Sequence, residues 1–303
     1  MNFFDTLREM LVILFAMAMG FLAHRLGYFN AETDQRLSKV ILNLTMPAMI
    51  VAAVITGDTL PELREVLAVL EVAAVFYLLE MIFALIAPRF LGGTPGQRGV
   101  WRFGLVFGNI AFIGYPVATA LFGSGALFYA VILAMPFNLL PYTLGPLMLA
   151  GAKRFRWRQL VTPCTVAAVL GLFFALTRLR PPAIVGECLA FVGDVTVPLS
   201  LLVVGSLLAG LPVGQVFKSP RLWCLSLLRL LVLPVLLFAI LQLLGAEPML
   251  LGIAVIEMAM PVAINGSMLS LEYGGDTETM AQATLLTTAV SIVTIPLIAS
   301  LLL

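Results

Sequence analysis

The sequence has very little charge. Only 11% of its 303 residues are Asp, Glu, Lys or Arg, whereas 61% are hydrophobic. About a quarter of the residues of a soluble domain are charged, so this chain has too little polar surface to face water on every side. Basic and acidic residues nearly balance at 17 and 16, and no basic patch with interleaved aromatic residues is present. Nucleic acid is therefore not an expected partner.

Histidine and cysteine are scarce as well. His24 is the only histidine, which removes histidine-based zinc centres and catalytic triads from consideration. Cys164, Cys188 and Cys224 lie in or beside apolar stretches at no metal-ligand spacing, so we expect buried thiols. An intramembrane aspartyl protease needs two aspartates that share a proton, and Asp194 stands alone. We expect no metal, no cofactor and no enzymatic activity.

Long apolar stretches are abundant. Many exceed about 20 residues, the length that crosses a hydrocarbon layer about 30 Å thick. Divided at glycine, proline and charge clusters, the sequence predicts ten membrane spans at about residues 4–26, 37–56, 64–87, 100–122, 125–150, 160–178, 184–210, 220–244, 248–272 and 278–302. The first could be read as a signal peptide, but its counterpart in the second half favours a retained helix.

The basic residues predict the orientation. Linkers between ten spans alternate sides, and one side receives twelve of the 17 Lys and Arg residues: Arg25, Arg36, Lys39, Arg89, Arg98, Arg102, Lys153, Arg154, Arg156, Arg158, Lys218 and Arg221. The other side receives four, namely Arg8, Arg64, Arg178 and Arg180. This bias places the first side in the cytoplasm and both termini outside a cytoplasmic (inner) membrane. The run 153–158 would anchor the topology.

The two halves of the chain resemble each other at a constant offset of 150 or 151 positions. The matched features are Asn43-Leu44-Thr45-Met46-Pro47 with Asp194-Val195-Thr196-Val197-Pro198, Gly20 with Gly171, Gly125 with Gly275, and Pro146 with Pro296. Each half, 1–150 and 151–303, holds five spans, so the second must insert upside down relative to the first. Inverted repeats are typical of secondary transporters, whose binding sites lie at the repeat interface near the midplane.

Spans four and nine contain residues that break helices. Gly114 and Pro116 predict one break, and Asn265-Gly266-Ser267 with Pro261 predict the other. At the 150 offset Pro116 falls on Gly266, so the breaks should be symmetry mates. Half-helix N-termini near the midplane would favour an anion, although ordinary proline kinks remain the alternative. The expected substrate-binding residues are Asn43, Asn109, Gly114, Tyr115, Pro116, Asn138, Pro261, Asn265, Gly266 and Ser267.

Several ionisable residues lie within the predicted spans, where a charge costs about 2.5–3.5 kcal/mol on insertion scales. Glu80 and Arg229 are about one residue from symmetry mates and could neutralise each other. Asp194 precedes Pro198 by four residues, as Asn43 precedes Pro47, and could serve either a hinge or the site. Glu257 has no cation at helical spacing and is a candidate proton carrier; the competing hypothesis pairs it with Arg229 for structure alone.

These motifs resemble the auxin efflux carrier family, which includes bacterial malonate-type carriers and the plant PIN proteins. The resemblance rests on Asn43-x-x-x-Pro47, on the Gly-Asn-x-x-x-x-Gly-Tyr-Pro of residues 108–116, and on Met260-Pro261 followed by Glu272-Tyr273-Gly274-Gly275-Asp276. It implies an all-α membrane protein of two inverted five-helix repeats with crossed, broken fourth and ninth helices. Spans 1, 2, 6 and 7 would form a scaffold, and spans 3–5 and 8–10 a mobile transport domain.

The resemblance also implies a substrate. An organic anion or weak acid would bind at the crossover, where Asn109 matches the family's fourth-helix asparagine. Gly266 replaces the crossover proline of the plant carriers and the long plant hydrophilic loop is absent, which favours a small bacterial-type carrier.

We therefore expect secondary active or facilitative transport by elevator-type alternating access. A sodium-coupled symporter of the bile-acid type and a passive channel are the alternatives. The sequence leaves open whether transport is coupled to protons and whether the protein is a homodimer. Its expected environment is the lipid bilayer.

Overall fold

The computed structural model describes residues 3–56, 62–123, 125–134, 140, 144–145, 147–149, 162–210 and 216–302. In these ranges every regular element is a helix, as the apolar composition predicts. The α-helices are α1 Phe3–Arg25, α2 Ala31–Val40, α3 Met46–Ile55, α4 Leu63–Leu91, α5 Pro95–Val106, α6 Tyr115–Phe122, α7 Ala126–Leu133, α8 Pro163–Thr177, α9 Ala183–Gly193, α10 Thr196–Gly210, α11 Pro220–Leu227, α12 Leu233–Leu243, α13 Pro248–Met258, α14 Asn265–Tyr273 and α15 Thr277–Leu302.

Several helical stretches have the length and composition of membrane spans. Five of them in the described ranges are long and apolar enough to cross a bilayer: Ala31–Ile55, Leu63–Leu91, Ala183–Gly210, Pro220–Leu243 and Thr277–Leu302. Each predicted span overlaps at least one of the helices given above. The second span begins earlier than its prediction of residue 37, because Asn30 caps α2 by accepting a hydrogen bond from the Thr33 amide at 2.9 Å.

Three wide π-helical turns interrupt these stretches, each ending two residues before a proline. They are Ile41–Thr45 before Pro47, Ile110–Gly114 before Pro116, and Leu228–Val232 before Pro234. In each case the residue just before the proline donates its amide to the carbonyl five residues back. Proline lacks an N–H and crowds the carbonyl four residues earlier, and a wider turn relieves that conflict. Pro47 therefore follows a wide turn within its helix.

The helices pack in two groups. In the first, α1 lies against α10, and α3 lies against α8 and α9. The backbones of α1 and α10 approach so closely that a Cβ on Gly20 would overlap Leu202, and one on Gly205 would overlap Met17. Small residues permit such close helix contacts in membranes.

The second group joins α4 with α5, α12 with α13, α14 with α15, and α11 with α15. The two groups meet where α1 contacts α6 and α15, and where α3 contacts α7.

Candidate functional site at the crossing of two helix breaks

Two extended segments cross at the centre of the second group. Helix α5 ends at Val106 and α13 ends at Met258, and the chain between each of these ends and the following helical turn is not helical. The Asn109 amide donates to the Pro261 carbonyl at 2.7 Å, and the Ala263 amide donates to the Phe107 carbonyl at 2.9 Å. Gly108 and Val262 thereby face each other in an antiparallel pairing. The breaks satisfy each other's backbone, as nonhelical chain at membrane depth requires.

The positions of the breaks differ in part from their prediction. The predicted first break at Gly114–Pro116 is wrong, because the helix is interrupted earlier, around residues 107–109. The second break includes Pro261 as expected, and Asn265-Gly266-Ser267, predicted to separate two half-helices, forms the first turn of α14. Pro116 lies within the continuous helical stretch Ile110–Phe122, after the π turn of residues 110–114, and Gly266 is the second residue of α14. Proline inside a helix removes one hydrogen bond, and the wider π turn before Pro116 accommodates that loss, so this proline does not mark the break.

Arg229 joins both breaks to α4. Its Nη1 donates to Glu80 Oε1 at 2.5 Å and to the Leu105 carbonyl at 2.9 Å. Its Nε donates to the Met260 carbonyl at 2.9 Å, and both charged side chains are 0% exposed. Leu105 lies in the last turn of α5 and Met260 just beyond the end of α13, so the guanidinium neutralises the carbonyl ends of both half-helices.

Glu257 lies in the same enclosed region with a different environment. Its side chain is 0% exposed, and neither carboxyl oxygen has a hydrogen-bond partner among the described residues. The carboxyl lies directly against Gly114, where an added Cβ would overlap Oε2. The competing hypothesis of a direct Glu257–Arg229 pair is not what the structure has, because the Arg229 side chain is bound to Glu80 instead.

Unpaired polar atoms lie at the crossing. Asn109 is 3% exposed, and its Nδ2 has no acceptor within the described part of the chain. Arg229 Nη2, next to Gly108, is likewise a buried donor without an acceptor there. Asn265 Oδ1, at the start of α14, is a buried acceptor with no donor there. Ser267 is half-buried in the same turn, and Tyr115 is buried at the start of α6. An unpaired buried donor is costly, so it indicates a binding partner.

Other predicted site residues lie elsewhere. Asn43 is exposed, in the π turn of residues 41–45, and its Nδ2 donates to the Lys39 carbonyl at 2.8 Å. Asp194 is exposed at the junction of α9 and α10. Asn138 and the basic run 153–158 lie outside the described residues. The structure therefore brings together the residues of spans three, four, eight and nine, and does not add Asn43 or Asp194 to them.

A second buried polar group, which the sequence did not predict, joins three helices. Ser206 Oγ donates to Asp34 Oδ2 at 2.9 Å and lies 3.0 Å from His24 Nδ1, which links α2, α10 and α1. Asp34 is 2% exposed and Ser206 is 0% exposed. Asp34 lies outside the predicted second span, which begins at residue 37. The Asn30 cap, with an acidic first turn after it, was the signal for the earlier start.

The chain is similar in sequence to membrane transport proteins. The sequence profile of the family described as "Membrane transport protein" matches residues 5–154 and 145–299. The chain is 25% identical over 301 residues to an uncharacterized transporter of Methanothermobacter thermautotrophicus, covering 98% of both proteins. It is 22% identical over 298 residues to an uncharacterized transporter of Methanocaldococcus jannaschii, covering 95% of this chain and 96% of that protein.

A bacterial relative carries a more specific name. The chain is 24% identical over 292 residues to a protein of Rhizobium meliloti that is provisionally named a malonate transporter. The alignment covers 91% of this chain and 89% of that relative. The similarity therefore extends over nearly the whole of each protein.

Proposed function

We propose that this chain, which belongs to the membrane transport protein family and resembles the auxin efflux carriers, moves a small organic anion or weak acid across the cytoplasmic membrane. It is a membrane transporter and not an enzyme, since its family and its named relatives are transporters. The anion class and the membrane are our proposals. The name of the R. meliloti relative supports a small carboxylate.

The observation that carries the anion class is the unpaired donor at the crossing. Asn109 Nδ2 is buried without an acceptor in the described structure, and the helical stretches that begin at Ile110 and Asn265 start nearby. Backbone amides at helix N-termini carry partial positive charge, so they favour a negatively charged group. An anion beside Asn109 would accept the free hydrogen bond and lie near both half-helices that follow the breaks.

A binding measurement tests this assignment. A thermal-shift screen of purified protein with malonate and other small carboxylates should identify a stabilising ligand, which at a hundred times its Kd adds about 2.7 kcal/mol. Asn109→Ala should then weaken binding by about 1–3 kcal/mol, because the ligand loses its buried donor. Gln242→Ala, at an exposed position of α12, is the matched control and should bind as the wild type does. Unchanged affinity in a folded Asn109→Ala protein would reject this site.

We further propose transport by an elevator movement. The two packing groups support it: helices of spans 1, 2, 6 and 7 contact each other, and the crossing lies within the other group. In this proposal residues 1–150 and 151–303 form the two inverted repeats. A small apolar cavity lies between α1, α6 and α15, and Met17, Ile113, Val117 and Ser291 are among its lining residues. A surface with few polar contacts would allow one group to slide along the other.

A further inference from the structure

The crossing encloses one more acid than base. Glu80, Arg229 and Glu257 are each 0% exposed. With both carboxyls ionised the group would carry one negative charge without compensation, and a buried charge left unpaired is strongly destabilising. One bound proton makes the group neutral. Glu80 already has a cation, whereas both oxygens of Glu257 lack a partner, so the proton belongs on Glu257.

The elements around Glu257 supply no other charge to compensate it. Helix α13 packs against α4, α6, α7, α12, α15 and the π turn of residues 110–114. Helix α4 contributes Glu80, since its other charged residues, Arg64, Glu65, Glu71 and Arg89, are exposed; α6 contributes Tyr115, which is not a cation. Tyr129 of α7 faces Glu65 and Glu247 instead, and the one acid of α15, Glu278, is exposed. Helix α12 and the π turn have no charged residue, which leaves Arg229 as the cation.

The location of Glu257 couples this proton to the substrate. Its carboxyl lies against Gly114, the end of the π turn that begins directly after Asn109. An anion bound at Asn109 would be repelled by an ionised Glu257, whereas a protonated carboxyl removes the repulsion. We propose that Glu257 is the proton-binding group of this carrier and that one proton crosses with each anion, an inference that rests on the proposed function. Linkage is reciprocal, so the anion also tightens proton binding.

Coupled flux measures the proton directly. Proteoliposomes containing a pH-sensitive dye are given radiolabelled malonate, and protons and malonate entering are counted together. Wild-type protein should take up one more proton per malonate than Glu257→Gln, whatever proton the malonate itself carries. Wild-type malonate affinity should fall as the pH rises above the pKa of Glu257 in the free carrier, by up to about tenfold per pH unit, the limit for one coupled proton. Glutamine does not titrate, so the malonate affinity of Glu257→Gln should depend much less on pH between about 5 and 8.

A control variant shows whether the difference in flux is specific to Glu257. Glu71→Gln removes an exposed carboxyl from α4 and should keep the wild-type ratio. Identical ratios and pH profiles in wild type and folded Glu257→Gln would overturn the inference, as would a sodium ion in place of the proton. Absence of saturable malonate transport in the wild type would count against malonate as the substrate, and the proton would then be tested without substrate.

Infrared spectroscopy provides that substrate-free test. A protonated carboxyl has a C=O stretch distinct from that of a carboxylate. The wild type minus Glu257→Gln difference at neutral pH should contain this acid band, and wild type minus Glu71→Gln should not. If Glu257→Gln does not fold, titration of the acid band in the wild type replaces the subtraction. A wild-type spectrum with no buried acid band at neutral pH would disprove a protonated Glu257.

Discussion

Arg229 is the residue on which the crossing depends most directly. Its guanidinium contacts a carboxylate and the carbonyls of Leu105 and Met260 from two different half-helices. Arginine suits this position because its rigid fork of donors reaches several acceptors at once, which a lysine ammonium cannot reproduce. Gly108 is part of the same arrangement, since an added Cβ would overlap Nη2. The Arg229 guanidinium can therefore occupy this position only because residue 108 is a glycine.

The Glu80–Arg229 pair allows a prediction at this scale. Glu80→Gln or Arg229→Gln alone should destabilise the protein by about 3–5 kcal/mol, because either change leaves a buried charge without its partner. The double variant should recover part of that loss, which thermal or denaturant unfolding in detergent would measure. Glu71→Gln, exposed on the same helix as Glu80, is the control and should be close to neutral. Losses that simply add in the double variant would contradict the pairing.

At the scale of elements, the boundary between the two packing groups decides whether the elevator proposal is correct. Met17 of α1 and Val117 of α6 line the same cavity and belong to different groups. In a background lacking Cys164, Cys188 and Cys224, the pair Met17→Cys with Val117→Cys should be linked by a short bifunctional thiol reagent. Linking should reduce malonate counterflow at least tenfold, because α6 could no longer move past α1.

A pair inside the first group is the matched control for this experiment. A Cβ on Gly171 of α8 would lie 3.9 Å from the Cβ of Val54 in α3, a separation suited to a disulfide. Oxidised Val54→Cys with Gly171→Cys should retain transport, because both helices would stay together throughout the cycle. Full transport after Met17 and Val117 are linked would show that the two groups do not move apart as proposed.

The whole molecule has a predicted orientation with both termini outside. Single cysteines replacing Asn2 and Arg156, in the same background lacking native thiols, should be labelled by a membrane-impermeant reagent from opposite sides. The physical reason is the excess of Lys and Arg in the linkers assigned to the cytoplasm. Labelling of intact cells followed by lysed cells measures it, with Gln242→Cys as a control for reactivity at an exposed position. Labelling of both sites from outside would contradict the ten-span topology.

The sequence by itself determined the class of molecule and the approximate extent of its helices. Low charge and apolar stretches predict helical spans because backbone polar groups in lipid must bond within their own helix. The predicted fourth and ninth spans, 100–122 and 248–272, coincide with the pairs α5–α6 and α13–α14. Pro261 also marked its break correctly. These features depend on local composition, so they can be predicted from one sequence.

The tertiary structure alone decided where the breaks cross and which charges pair. The first break was placed wrongly because, in sequence, a proline that a π turn accommodates looks the same as a proline at a break. The acids Glu80 and Glu257 both lie in apolar runs, and only their distance from the Arg229 guanidinium distinguishes a paired carboxylate from an unpartnered one. The contact between Asp34 and Ser206 spans 172 positions. Such pairings depend on how distant helices approach, and spacing along the chain carries no record of that.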